Sequence, residues 1–188
     1  MEAASPPLIE SRYVGGATTL YGELSVDGGR PAASAEVFGG LKLGRFISTE
    51  GFLTYRWSDA FREQASGEPC RWAPLDQWSW GGLGTRLWIH VFRSRVVQVM
   101  LAPRFTVGVA HVWQEANGNQ RVTSCAHPAL SFWGWALDGG IDFGFEVRAA
   151  SWLGLRTYAA ASVLGANAGS IAFGAISFGF AAGPVFRF

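Results

Sequence analysis

Counting back in twos from Phe188, the chain presents Phe186, Pro184, Ala182, Phe180, Phe178 and Ile176, with Arg187, Val185, Gly183, Ala181, Gly179 and Ser177 between them. A period of two puts the first set on one face of a strand and the second set on the other. Proline removes a ladder donor, so Pro184 is expected near the strand's end or at a bulge. The sequence ends on an aromatic with no polar tail. One face of such a strand must meet something apolar, and no other feature constrains the fold as strongly.

The same alternation recurs along the chain. Met1 to Val14 reads as a loose lead-in, with Pro6-Pro7 blocking regular structure. Residues 15–188 then form one domain with eight candidate strands, near 17–26, 34–45, 52–58, 79–92, 96–113, 130–147, 153–163 and 171–188. Typical columns are Val97, Val99, Leu101, Phe105, Val107 and Val109 in the fifth, and Trp133, Trp135, Leu137, Ile141, Phe143 and Phe145 in the sixth. Short turns are expected near Ser48 to Gly51, Arg93 to Arg95 and Arg148 to Ser151, and long connections over Asp59 to Gln77 and Gln114 to Pro128.

This pattern resembles the small eight-stranded bacterial outer-membrane β-barrels of the OmpA and OmpX type, whose terminal strand ends in Phe. The resemblance implies an all-β fold, an eight-stranded antiparallel up-and-down transmembrane barrel with short periplasmic turns and longer external loops. It implies placement in the bacterial outer membrane, with the lipid bilayer as solvent. It also implies that Phe180, Phe186 and Phe188 form a signal read by the barrel-assembly machinery. A secretory leader is not evident in Met1 to Glu10, so an exported protein of this kind reads as a mature or recombinant form.

Composition agrees. Charged residues are 15% of the chain, against about 25% in an average domain. A net charge of +1 implies no nucleic-acid partner. Tyr55, Trp57, Trp113, Trp133 and Trp135 are expected in an outer aromatic girdle, and Phe92, Phe143, Phe145, Phe186 and Phe188 near the opposite rim. Trp78 and Trp80 have the wrong parity for the girdle, which a bulge within Gly81 to Gly84 would repair.

The face opposite the apolar column carries Glu23, Glu36, Lys42, Arg56, Arg86, His90, Arg104, Asp138, Asp142, Glu146, Arg156 and Arg187. Charges of both signs in a lumen barely wide enough for side chains are costly unless paired, so an ion-pair network filling the barrel is expected. Gly40, Gly44, Gly84, Gly134, Gly140, Gly144, Gly179 and Gly183 share that face and suit a strongly curved barrel. Two rival folds remain at this stage. A soluble barrel would turn the apolar face inward. A helical membrane protein would use the uncharged stretch Thr157 to Phe186, although Gly165 to Ser170 interrupts it.

Little chemistry is visible. Cys70 and Cys125 fall in the two long connections. In the oxidising compartment that the resemblance implies they pair as a loop staple, two free thiols being the alternative. The closed loop of about 55 residues would contribute up to ~4 kcal/mol if unstrained. His127 lies between Ser124 and Ser131, and His111 sits near the outer rim. His127, His111 and Ser131 are therefore the weak catalytic candidates of a lipid-modifying enzyme, which needs the His and Ser within hydrogen-bond reach. No metal or cofactor site is expected. The functional expectation is a structural or surface-interacting membrane barrel with a loop partner of unspecified kind. A narrow solute channel and a lipid-modifying enzyme are the alternatives.

Overall fold

The computed structural model describes residues 11–25, 28–59, 77–114, 130–168 and 171–188. They form eight strands: β1 (Ser11–Ser25), β2 (Gly28–Leu43), β3 (Ile47–Asp59), β4 (Gln77–Arg93), β5 (Val97–Gln114), β6 (Leu130–Arg148), β7 (Leu153–Ala168) and β8 (Ile171–Arg187). Each pairs antiparallel with its sequence neighbours, and β8 closes on β1 to complete a barrel. Thr157 to Phe186 forms most of the β7–β8 hairpin, so the helical alternative is overturned. Among the described residues no helix is long and apolar enough to cross a membrane.

The apolar columns all point outward. Leu20, Val37, Leu53, Leu83, Phe105, Ile141, Val163 and Phe180 are exposed on successive strands, Leu20 to 73%. This arrangement overturns the soluble-barrel alternative, because a continuous exposed apolar belt requires an apolar solvent. Tyr55, Trp57, Trp113, Trp133 and Trp135 are exposed at the end nearest the two long connections. Phe92, Phe143, Phe145, Phe186 and Phe188 are exposed toward the short-connection end, where Phe46 and Trp152 join them.

Four local expectations change. Ser11 to Val14, read as part of the lead-in, are instead the start of β1. Ser48 to Gly51 is not a turn but the start of β3; the turn is Gly44-Arg45-Phe46, where Gly44 adopts φ +70°, a conformation favouring glycine. Gly44 thus belongs to a turn and not to the strand face. Gly81 to Gly84 contains no bulge: the β4 register is regular there, and its irregularity lies between His90 and Phe92. Trp78 and Trp80 therefore keep their parity and lie buried inside the barrel.

Two of the three strand prolines, Pro103 and Pro184, sit where a ladder is interrupted, whereas Pro31 of β2 stays paired with Gly22. Pairing of β1 with β8 passes from Gly15–Val185 to Thr18–Ala182, skipping Pro184. Pairing of β4 with β5 passes from Arg86–Arg104 to Ile89–Leu101, skipping Pro103. The missing N–H falls at each gap, so no further ladder bond is lost.

Inside, large rings lie across from glycines. Tyr13 opposes Gly40 and Phe38 opposes Gly15; Phe52 opposes Gly84, Tyr21 opposes Gly179 and Tyr158 opposes Gly144. A Cβ on Gly40 would stand 2.7 Å from Tyr13 Cε2, and one on Gly84 2.6 Å from Phe52 Cε2. The glycines make room for rings that fill a narrow bore. The interior is layered. Trp78, Trp80, Val112, Leu164 and their neighbours form an apolar layer at the long-connection end. Tyr13, Phe38, Phe52, Trp88 and Tyr158 belong to a second cluster toward the middle and short-connection end.

Candidate functional site

Charged side chains thread this second cluster. Their inward parity follows from the alternation that turns the apolar columns to lipid, so a single sequence pattern builds both surfaces. Every strand contributes: Glu23 from β1, Glu36 and Lys42 from β2, Glu50 and Arg56 from β3, Arg86 and His90 from β4, Arg104 from β5, Asp138, Asp142 and Glu146 from β6, Arg156 from β7 and Arg187 from β8. All are buried except Arg187, which is half-buried.

Arg86 stands at the centre. Its Nη1 donates to Glu36 Oε1 at 2.9 Å and Glu50 Oε1 at 2.5 Å, and its Nη2 donates to Glu36 Oε2 at 3.0 Å. Its Nε is 2.6 Å from Asp142 Oδ2. Phe52, Tyr158 and Trp88 surround the guanidinium, with ring centres 4.6, 5.0 and 5.4 Å away. Arg156 reaches the same carboxylate from the opposite wall, Nη1 to Glu50 Oε2 at 2.5 Å, and Trp88 Nε1 donates to that oxygen at 3.1 Å. Arg156 also holds Glu146 Oε2 through Nη2 at 3.1 Å, and Arg187 pairs with Glu146.

Toward the long-connection end the network continues. Arg104 pairs with Asp138 at 3.1 Å and with Asp142 at 3.6 Å. Arg56 pairs with Glu23, donates to Ser177 Oγ at 2.6 Å and lies 3.9 Å from the Tyr21 ring centre. Toward the short-connection end, His90 Nε2 shares a 2.6 Å hydrogen bond with Ser48 Oγ. Desolvating each ion costs several kcal/mol. Multidentate arginine forks and ring faces offset that cost only while the partners stay together. Arg56, Arg86, Glu50 and Trp88 are at most 1% exposed, so this level of the bore is filled by side chains.

Glu50 was missing from the sequence expectation because Ser48 to Gly51 resembles a turn. The signal was present: extending the parity of Phe52 and Arg56 backward places Glu50 and Ser48 inward. Tyr13 was missed for the same kind of reason, as part of the lead-in. Trp88 and Tyr158 share the parity of Arg86 and Arg156, but nothing in the sequence marks them as ring partners of arginines.

The catalytic candidates divide. His111 Nε2 and Ser131 Oγ lie 2.8 Å apart on the outward faces of β5 and β6, and the Trp133 ring stacks on His111 at 4.3 Å between centres. No carboxylate hydrogen-bonds this imidazole among the described residues. Cys70, Ser124, Cys125 and His127 lie outside the described residues. Among the described residues no cluster of His, Cys, Asp or Glu has the makings of a metal site.

A closed eight-stranded antiparallel barrel with an apolar exterior and a paired-charge interior defines a class: the small β-barrels of the outer-membrane type. Among solved structures, the chain is similar to Neisserial surface protein A, at 13% identity over 94% of this chain and 97% of that one, with a TM-score of 0.62. It also aligns with Ail of Yersinia pestis, at 9% identity over 95% and 98% with a TM-score of 0.46. The N-terminal barrel domain of Pseudomonas aeruginosa OprF aligns at 13% identity over 93% and 97%, with a TM-score of 0.43. At 13% identity the similarity to the Neisserial protein defines the fold and nothing finer. No protein-family model and no curated protein matches the sequence.

Proposed function

We propose that the chain is an integral protein of the bacterial outer membrane with a structural or surface-interacting role, its bore sealed by the arginine–carboxylate network. The observation that carries this reading is the pairing of an unbroken apolar exterior with a buried charged interior on one set of strands. The contact surface is the end bearing the long connections. The test is circular dichroism and heat-modifiable gel mobility of the purified chain, with and without micelles. A β spectrum appearing only with micelles supports the reading; a β spectrum in plain buffer sinks it.

Phe180, Phe186 and Phe188, all on the outward face of the closing strand, serve in this reading as the assembly signal. Phe188→Ala then slows insertion by the assembly machinery in proteoliposomes; an unchanged rate removes that role. Cys70 and Cys125 pair across the long connections, which mobility on a non-reducing gel reports: identical migration with and without reductant argues against the bond.

A second reading rests on the His111–Ser131 contact, a base within reach of a hydroxyl at the lipid boundary. It makes the barrel an esterase of membrane lipids, with Ser131 as nucleophile. Release of fatty acid from a phospholipid or lipid A bilayer, abolished in Ser131→Ala, tests it. If no acid is released, the pair is an interfacial hydrogen bond under Trp133.

A further inference from the structure

On the outer surface of β4 the apolar column thins toward the long-connection end. From the belt to the rim it runs Leu83, Gly81, Ser79 and Gln77. The strands on both sides carry rings at this level. The ladders align Trp57 of β3 with Ser79, Ser79 with His111 of β5, and His111 with Trp133 of β6; nearer the belt, Tyr55 lies across from Gly81. Tyr55 stacks on Trp57, 5.9 Å between centres. Trp133 stacks on His111 at 4.3 Å, and Ser131 holds the imidazole at 2.8 Å. A floor of small and polar residues therefore lies between two aromatic walls. Gly81 leaves the inner end of that floor without a side chain, and Tyr55 Cδ2 settles 3.6 Å from where a Cβ would stand.

Strands two apart in a sheet are separated by about 10 Å. A flat ring in van der Waals contact with a wall on each side needs roughly 7–8 Å, so a six-membered ring fits between β3 and β5. A pyranose suits the trench. Its C–H faces are apolar and pack on aromatic rings, while its hydroxyls donate to and accept from Ser79 and Gln77. A phosphate finds no counter-ion in these two floor residues, and a trimethylammonium group offers them no hydrogen bond. The same column enters the apolar belt at Leu83, which is 63% exposed, so a ligand with its sugar at Ser79 lays an acyl chain along Leu83. That continuity favours a membrane lipid over a dissolved sugar. We propose that this trench binds the sugar headgroup of a glycolipid in the surrounding leaflet. The proposal rests on the bilayer placement given above.

The test is native mass spectrometry of the folded protein released from vesicles of dioleoylphosphatidylcholine mixed equally with glucosyl dioleoylglycerol. Gel mobility first establishes that the barrel has folded in those vesicles; failure there defeats the membrane reading and the trench with it. With a folded barrel, the glucolipid is expected to be retained over phosphatidylcholine on the order of tenfold, which corresponds to about 1.4 kcal/mol. The preference is expected to vanish in Trp57→Ala, which removes a wall, and in Ser79→Leu, which fills the floor with a side chain suited to lipid. It is expected to survive in Trp135→Ala, an exposed girdle tryptophan on β6 outside the trench. If Trp57→Ala does not fold, Ser79→Leu decides alone. Equal retention of both lipids by a folded wild type overturns the proposal, and so does a preference for phosphatidylcholine. A preference that persists in Ser79→Leu overturns it as well. Equal loss in Trp135→Ala also does so, by showing a diffuse aromatic girdle instead of a site. Displacement of the glucolipid by added methyl glucoside overturns the lipid source.

Discussion

Glu50 links the two halves of the interior. Its carboxylate accepts from Arg86 on one side and from Arg156 and Trp88 on the other. Replacing it by Ala leaves two buried guanidinium groups short of an anion. Removing one member of a buried ion pair costs about 3–5 kcal/mol, so Glu50→Ala is expected to lower the urea midpoint of the micelle-folded protein strongly. Glu50→Ala/Arg156→Met removes charge from both sides and is expected to recover part of that loss, a non-additivity that a double-mutant cycle reads directly. Additive losses would mean that the carboxylate and Arg156 act independently.

Among the elements, β8 is packed closely where it meets β1. A Cβ at Gly183 would stand 2.7 Å from the Gly16 carbonyl carbon and 2.8 Å from Ala17 Cα on β1, at the seam that closes the barrel. Gly183→Ala is therefore expected to reduce the heat-modifiable folded fraction. Gly51→Ala on β3, whose Cβ would meet nothing within 4 Å, is expected to fold like the parent. Strands of this kind are legible in sequence because one period decides both faces. All eight were readable, and the charges from Glu23 to Arg156 named from parity lie buried, but Glu50 at the centre of the set was not among them. The reading failed where a competing rule looked stronger. Ser48 to Gly51 is small and polar, yet the chain turns earlier at Gly44, where backbone conformation and not polarity decides. Trp78 and Trp80 look like interfacial anchors, yet curling of the sheet gathers Val112 of β5, Ala136 of β6 and Leu164 of β7 with them as an apolar inner layer. That layer exists only once the sheet has curled, so no single strand announces it.

At the scale of the whole molecule, the filled bore decides whether solutes pass. Trp88 and Arg86 occupy its middle with no more than 1% exposure, and an eight-stranded barrel leaves no second path around them. Single-channel recording in planar bilayers is expected to show no steps for the wild type. Arg86→Ala/Trp88→Ala empties the centre and is expected to produce small, cation-favouring steps, because Glu36, Glu50 and Asp142 lose their shared guanidinium. Steps in the wild type would restore the channel alternative.

The interior partners also carry a consequence for timing. Hairpin ladders can form one after another as strands emerge, since each joins sequence neighbours. Some of the lumen bonds cannot. Arg56 waits for Ser177, 121 residues away, Glu36 for Tyr158, 122 away, and Glu50 for Arg156, 106 away. A growing sheet of β1 to β6 would enter lipid with Glu50 still short of a partner, so the charges favour keeping the sheet in water or in a chaperone's care until β7 and β8 arrive. The residues that seal the finished barrel are therefore expected to oppose insertion of an incomplete sheet.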